Sequence, residues 1–149
     1  MDGPGKAPWH LWLVGVLALL WNGYGAIDYS MTQLRNSSWM TSQGFSQSQA
    51  DAMLAYAETY PAWADAAWAL GTFGGVAGAV LLLVRRRFAF GAFAVSLIGA
   101  VGTLVATTSR ELPEDLAEVA GGPVIYFIVV IAVLLLFYAW AMRRRGVLR

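Results

Sequence analysis

Apolar residues in this chain do not alternate with polar ones; they gather in four long blocks, at about residues 9–29, 63–84, 88–107 and 124–142. An α-helix needs about 20 apolar residues to cross the hydrocarbon core of a bilayer, and every block reaches that length. The polar segments between the blocks are of two kinds, and the kinds alternate. One is arginine-rich: Arg85, Arg86 and Arg87 separate the second and third blocks, and Arg143, Arg144 and Arg145 follow the fourth. The other is acidic, with Asp51 and Glu58 after the first block and Glu111, Glu114, Asp115 and Glu118 after the third. The pattern predicts an all-α integral membrane four-helix bundle, a single transmembrane domain over residues 1–149.

Composition supports this class. Hydrophobic residues make up 58% of the chain and the mean hydropathy is +0.58, above the share a soluble domain carries. With 149 residues the four crossings leave no room for a separate soluble domain. The chain has no cysteine, which removes disulfides, thiol catalysis and thiolate metal sites from consideration.

The net charge of +1 conceals a strong asymmetry. Lys6, the two arginine triplets and Arg149 put eight cations on one side of the alternation, against Arg35 and Arg110 on the other. Carboxylates do the reverse: Asp2 alone stands on the basic side. The positive-inside rule then predicts a multi-pass membrane protein with both termini cytoplasmic. Gly23 and Gly25 give a small-x-small pattern after the first block, but cleavage there would turn the first arginine triplet outward, so an uncleaved anchor is expected.

The longest polar stretch, residues 30–61, carries helical punctuation in its second half. Ser46 and Gln49 stand at capping-box spacing and Ala50, Met53, Leu54 and Ala57 follow, predicting a short amphipathic helix at about 47–59 on the outer membrane surface. Pro61 suits the start of the second span, with Tyr60 and Trp63 at belt level. Pro113, Glu114 and Asp115, closed by Gly121 and Gly122, predict one or two helical turns before the fourth span.

Helices in lipid associate through close backbone approach, so residue size marks their seams. The second span carries Ala64, Ala67, Gly71, Gly74, Gly75 and Gly78, with GxxxG spacing twice, and the third carries Ala92, Ser96, Gly99, Thr103 and Ala106. A tight antiparallel hairpin is expected. The fourth span is bulky all round, which suits an edge position or contact with another subunit.

Unusual polar residues close the first span. Trp21, Tyr24 and Asp28 share one helical face and Asn22 a neighbouring one. A carboxylate at a helix C-terminus opposes the helix dipole, so Asp28 calls for compensation, with Arg35 or Arg110 as the expected partner. Asp65, in the first turn of its helix, is already favourably placed. Asn22, Tyr24, Asp28, Asp65 and Trp68 form the expected polar pocket, whose carboxylates, amide and flat rings suit polyhydroxylated or cationic solutes; the bland alternative is an interhelical hydrogen bond for Asn22 and headgroup water for Asp28.

Enzyme chemistry finds little to use. His10 is the single histidine, a membrane thickness from the outer carboxylates, so no Ser-His or metal constellation assembles there. The glycines at 71–78 lack the lysine of a phosphate loop. No catalytic residue, cofactor, metal or nucleic-acid partner is expected.

The runs Ala7-Pro8-Trp9-His10, Leu19-Leu20-Trp21-Asn22-Gly23, Asp28-Tyr29-Ser30-Met31-Thr32, Tyr60-Pro61-Ala62-Trp63 and Trp68-Ala69-Leu70-Gly71, with the arginine-rich tail from Arg143 to Arg149, resemble a family of short four-span inner-membrane proteins of Gram-negative bacteria, some labelled sugar transporters. The resemblance implies a small-solute carrier or carrier subunit, with sugars among the solutes it suggests; because a single copy is too small to enclose a pathway, a homo-oligomer or a complex with other membrane proteins is expected. A structural or assembly subunit is the alternative from the residues alone.

Overall fold

A computed structural model describes residues 6–114, 116–117 and 122–149. It is helical, with no strand among the described residues: α1 is Trp9–Gln33, α2 Ser37–Ser42, α3 Gln47–Glu58, α4 Ala62–Leu83, α5 Ala89–Thr108 and α6 Val124–Arg144. Helices α1, α4, α5 and α6 are long and apolar enough to cross a membrane. Large apolar side chains remain on their outer surfaces, Leu20 at 67%, Ile98 at 69% and Leu134 at 61% exposed. Such unburied hydrocarbon on four helices of spanning length suits a bilayer, and the chain is a multi-pass membrane protein.

The helices pack in chain order, α1 on α4, α4 on α5 and α5 on α6. The α4–α5 pair is the tightest because it is built on absent side chains. A Cβ on Gly99 would lie 2.6 Å from the Ala67 carbonyl oxygen and 2.7 Å from Gly71 Cα, and one on Gly74 3.1 Å from Ser96 N. Ser96 adds a cross-helix bond, its Oγ donating to Gly71 O at 2.6 Å. The glycines of α4 serve two neighbours. Gly71, Gly74 and Gly78 face α5, the last under the Phe93 ring, whereas Gly75 meets both Asn22 of α1 and Ser96 of α5.

At the arginine-rich end the bundle closes. Leu11 of α1, Phe93 of α5 and Ala139 and Met142 of α6 share one buried cluster with Val147 and Leu148, and His10 Nδ1 meets Tyr138 Oη at 2.5 Å. Arg87 N donates to Arg149 O at 2.7 Å and Arg149 N to Arg85 O at 2.8 Å, clasping residues 147–149 to the α4–α5 turn.

Helix α1 runs past the expected boundary at 29, because the Ser30 and Thr32 hydroxyls donate back to the carbonyls of Ala26 and Asp28 and nothing breaks the helix before Arg35. There Arg35 takes φ +54°, with Asn36 N bonded to Met31 O and Arg35 N to Thr32 O. This 6→1 and 5→2 closure caps the helix with a residue for which the left-handed region costs about 1 kcal/mol. Arg85 ends α4 in the same way, at φ +59°.

The α2–α3 segment folds as a unit over the acidic end. Asn36 caps α2 by accepting from Trp39 N, and Ser46 with Gln49 forms a full capping box at the start of α3. Met40, Ala50 and Leu54 are buried together under Trp39 and Phe45. Of the apolar positions expected on the membrane-facing side of this helix, Ala50 and Leu54 are buried by protein, whereas Met53 and Ala57 line a cavity. Pro61 is the N-cap of α4. Leu116 N and Ala117 N bond to Pro113 O, opening a helical turn; Asp2, Asp115, Glu118 and Gly121 lie outside the described residues.

Candidate functional site: a cavity at the acidic end

The α1 and α6 helices, joined at the arginine-rich end, are separated at the other by a cavity of about 440 Å³, a volume typical of small-molecule sites. Every long element contributes to its wall: Asp28 and Thr32 from α1, Tyr56 from α3, Trp68 from α4, Thr103 and Thr107 from α5, and Ile125 and Tyr126 from α6. Gln43 and Phe45, between α2 and α3, roof it. A smaller cavity of about 120 Å³ shares Thr32, Ala57, Tyr60 and Trp68 with it and extends to Asp65, Arg35 and Glu58.

Asp28 is the one charged residue among the described residues of the large cavity's wall. Its compensation comes from hydrogen bonds and not from the expected arginines. Trp39 Nε1 donates to Asp28 Oδ1 at 2.9 Å and Gln43 Nε2 to the same oxygen at 3.3 Å, while Oδ2 has no donor among the described residues. Arg35, carried away by the left-handed turn that ends α1, pairs instead with Glu58 on the surface. Arg110 lies over the rings of Tyr56 and Tyr60, 5.0 and 4.9 Å from their centroids, and donates to the Thr59 hydroxyl.

The hydroxyls in the wall differ in how far they are committed. Thr103 donates to Gly99 O and Thr107 to Thr103 O, so each offers the cavity an acceptor but no proton. Tyr56 Oη is buried and has no hydrogen-bond partner. Burial pushes its phenol above the usual tyrosine range, the neighbouring Tyr60 adds to the rise, and Arg110 opposes it.

The five residues expected to form one pocket occupy four places. Asp28 and Trp68 line the large cavity, and Asp65, which accepts from Gln33, joins Trp68 in the small one. Tyr24 is exposed, donates to Gln43 and stands beside the Trp39 ring; it supports the roof from outside. Asn22 belongs to the helix seam: its Nδ2 donates to Ala18 O of its own helix at 2.8 Å and its Oδ1 fills the space over Gly75. A bond across helices, the alternative for Asn22, is replaced by this intrahelical one because Gly75 leaves room for the amide but supplies no donor.

Trp39, Gln43, Tyr56 and Thr107 are site residues that sequence reasoning did not reach. A signal for the first existed, since Asn36 followed by Ser37, Ser38 and Trp39 is a helix start. Nothing local marks Thr107, whose role follows from the splaying of α6 from α1. Among the described residues no three His, Cys, Asp or Glu side chains converge to hold a metal ion.

No protein-family model, curated protein or solved structure matches this chain. Function is therefore argued from the cavity.

Proposed function

We propose that this chain is a small-solute carrier, or the solute-binding subunit of one, in a bacterial inner membrane, with its arginine-rich end cytoplasmic. One observation carries the reading: a cavity of about 440 Å³, open at the acidic end, between spanning helices, with a carboxylate in its wall and a hydrogen-bonded roof fastened to that carboxylate. A bundle that served packing alone would gain by filling such a space, since unfilled volume forfeits dispersion contacts. Trp39 and Gln43 fasten the α2–α3 roof to Asp28 through Oδ1.

A single copy opens at one end. The His10–Tyr138 contact and the cluster around Leu11 close the other, so release across the membrane requires either parting of α1 from α6 there or a pathway shared with a second copy. The outward faces of Phe127, Leu134 and Phe137 on α6 give such a copy, or another membrane protein, a surface to meet. That surface also supports the alternative of a non-catalytic assembly subunit.

Native mass spectrometry of the protein in nanodiscs separates the two. The carrier reading expects a retained small molecule on the wild type, lost on Thr107→Trp, which fills the cavity with an indole. A stoichiometric foreign protein, with no small molecule and no effect of Thr107→Trp, sinks the carrier reading in favour of the assembly subunit. Orientation is tested separately: a periplasm-active phosphatase inserted at Gly44 should be active and one inserted at Arg86 inactive.

A further inference from the structure

The wall of the large cavity combines one negative charge with apolar and aromatic surface. Met40, Phe45, Met53, Trp68, Ile125 and Tyr126 supply hydrocarbon and rings, and the Thr103 and Thr107 protons are spent within α5. A sugar asks the opposite of its site, a donor or acceptor for nearly every hydroxyl, because each one buried without a partner opposes binding. Around the cavity negative charge predominates. Among the described residues at this end, Asp28, Asp51, Glu58, Asp65, Glu111 and Glu114 outnumber Arg35 and Arg110. Of those two cations, Arg35 is paired with Glu58, and Arg110, outside the cavity wall, lies over Tyr56 and Tyr60 and donates to the Thr59 hydroxyl, its Nη1 buried without a partner. The features the wall offers a ligand are therefore Asp28 Oδ2, the partnerless Tyr56 hydroxyl and the aromatic surface of Trp68 and Tyr126, Trp68 also meeting the rings of Tyr29 and Tyr60.

We infer that the cavity selects a monovalent organic cation with an apolar body, its ammonium against Asp28 and its hydrocarbon against the Trp68 side of the wall. This deepens the solute-carrier reading and rests on it, and it replaces the sugar implied by family resemblance with a different substrate class. The chemistry is that of cation recognition by an anion and aromatic faces in a partly desolvated site. Both protein bonds to Asp28 fall on Oδ1, so a cation on Oδ2 leaves the roof fastened.

The test is calorimetric titration of the protein in phosphatidylcholine nanodiscs, with empty-disc blanks, using three probes: benzyltrimethylammonium, its neutral carbon isostere neopentylbenzene, and methyl β-glucoside. Wild type should bind the cation saturably and the isostere about tenfold more weakly or worse, with Asp28→Asn losing the cation by a similar factor. Asn can still accept from Trp39 and Gln43, so this variant keeps the roof, and Asp28→Glu should retain part of the binding. If Asp28→Asn does not fold, Gln43→Lys provides a second reading: an ammonium tethered beside Asp28 should exclude the cationic probe. Binding of the glucoside without the cation overturns the cation assignment and leaves the cavity reading standing. Binding of none of the probes, together with a Thr107→Trp variant indistinguishable from wild type by native mass spectrometry, overturns both.

Discussion

Gly99→Ala adds a single methyl group and should be among the most damaging small changes in the protein. The new Cβ would lie 2.6 Å from the Ala67 carbonyl oxygen and 2.7 Å from Gly71 Cα, with Gly71 N nearer still. These are backbone atoms of a neighbouring helix, which cannot rotate aside as a side-chain tip can. Restoring contacts of about 3.5 Å requires α4 and α5 to part by roughly 1 Å over the crossing. Parting weakens dispersion along the seam and stretches the 2.6 Å bond from Ser96 to Gly71 O. Overpacking costs about 1–3 kcal/mol and the interhelical bond adds about 0.6 kcal/mol, so a loss of roughly 2–3 kcal/mol is expected. Gly91→Ala is the matched control on the same helix, where a Cβ meets nothing within 4 Å; it should be neutral or stabilising by up to about 1 kcal/mol. Equilibrium unfolding in mixed micelles of rising dodecyl sulfate content, followed by tryptophan fluorescence, measures both. Equal midpoints for Gly99→Ala and Gly91→Ala would refute the claim that backbone contact holds this seam.

Three further outcomes are expected. Trp39→Phe keeps the ring and removes the donor to Asp28; a hydrogen bond to a charged group is worth about 1.5–3 kcal/mol, so amide exchange over residues 37–58 should quicken at least about tenfold while α4 and α5 stay protected, and unchanged exchange would show that the bond does not hold the roof. Glu58→Gln should shift stability by less than about 0.5 kcal/mol, because both partners of its ion pair with Arg35 are more than half exposed and such pairs contribute little; a larger loss in the same micelle assay would contradict this. Tyr56, raised above its ordinary value near 10 by burial, ionises first in the unfolded chain, so folded stability is intact below that pH and falls as pH climbs toward the raised value. Tyr56→Phe should therefore flatten the alkaline limb of a stability–pH curve, and an unchanged limb would assign the loss elsewhere.

What the sequence reveals and what it hides follow from the range of the forces involved. The four spans are legible because lipid imposes a length and an apolarity on each crossing independently of its neighbours. Gly71, Gly74 and Gly99 stand out as packing positions because only size matters where backbones touch, and the structure places them in one seam. The sharing of the α4 glycines between α5 and α1 is not legible: Gly75 and Gly71 look alike in sequence and differ only in which neighbour passes them. Asp28 shows the same limit more sharply. Its expected location at the end of the first span announces a need for compensation, yet α1 continues to Gln33 and its donors, Trp39 and Gln43, are brought to it by a left-handed turn at Arg35, a position where sequence rules look for glycine or asparagine. Asn22 reads as a pocket residue from its polarity and proves to be a filler for the space that Gly75 leaves. The cavity itself arises from α6 diverging from α1, and no local pattern encodes a divergence.

The measurement that bears most directly on a solute cavity inside the bundle uses the chain's lack of cysteine. Thr107→Cys in the cavity wall and Ile98→Cys on the lipid-facing surface of the same helix can each be treated, in proteoliposomes, with a charged methanethiosulfonate reagent that reacts only where water reaches. The account expects rapid modification at Thr107→Cys, slowed by benzyltrimethylammonium, and none at Ile98→Cys. Equal inertness at both positions would contradict it, since the space between α1 and α6 would then be closed or filled with lipid in the membrane.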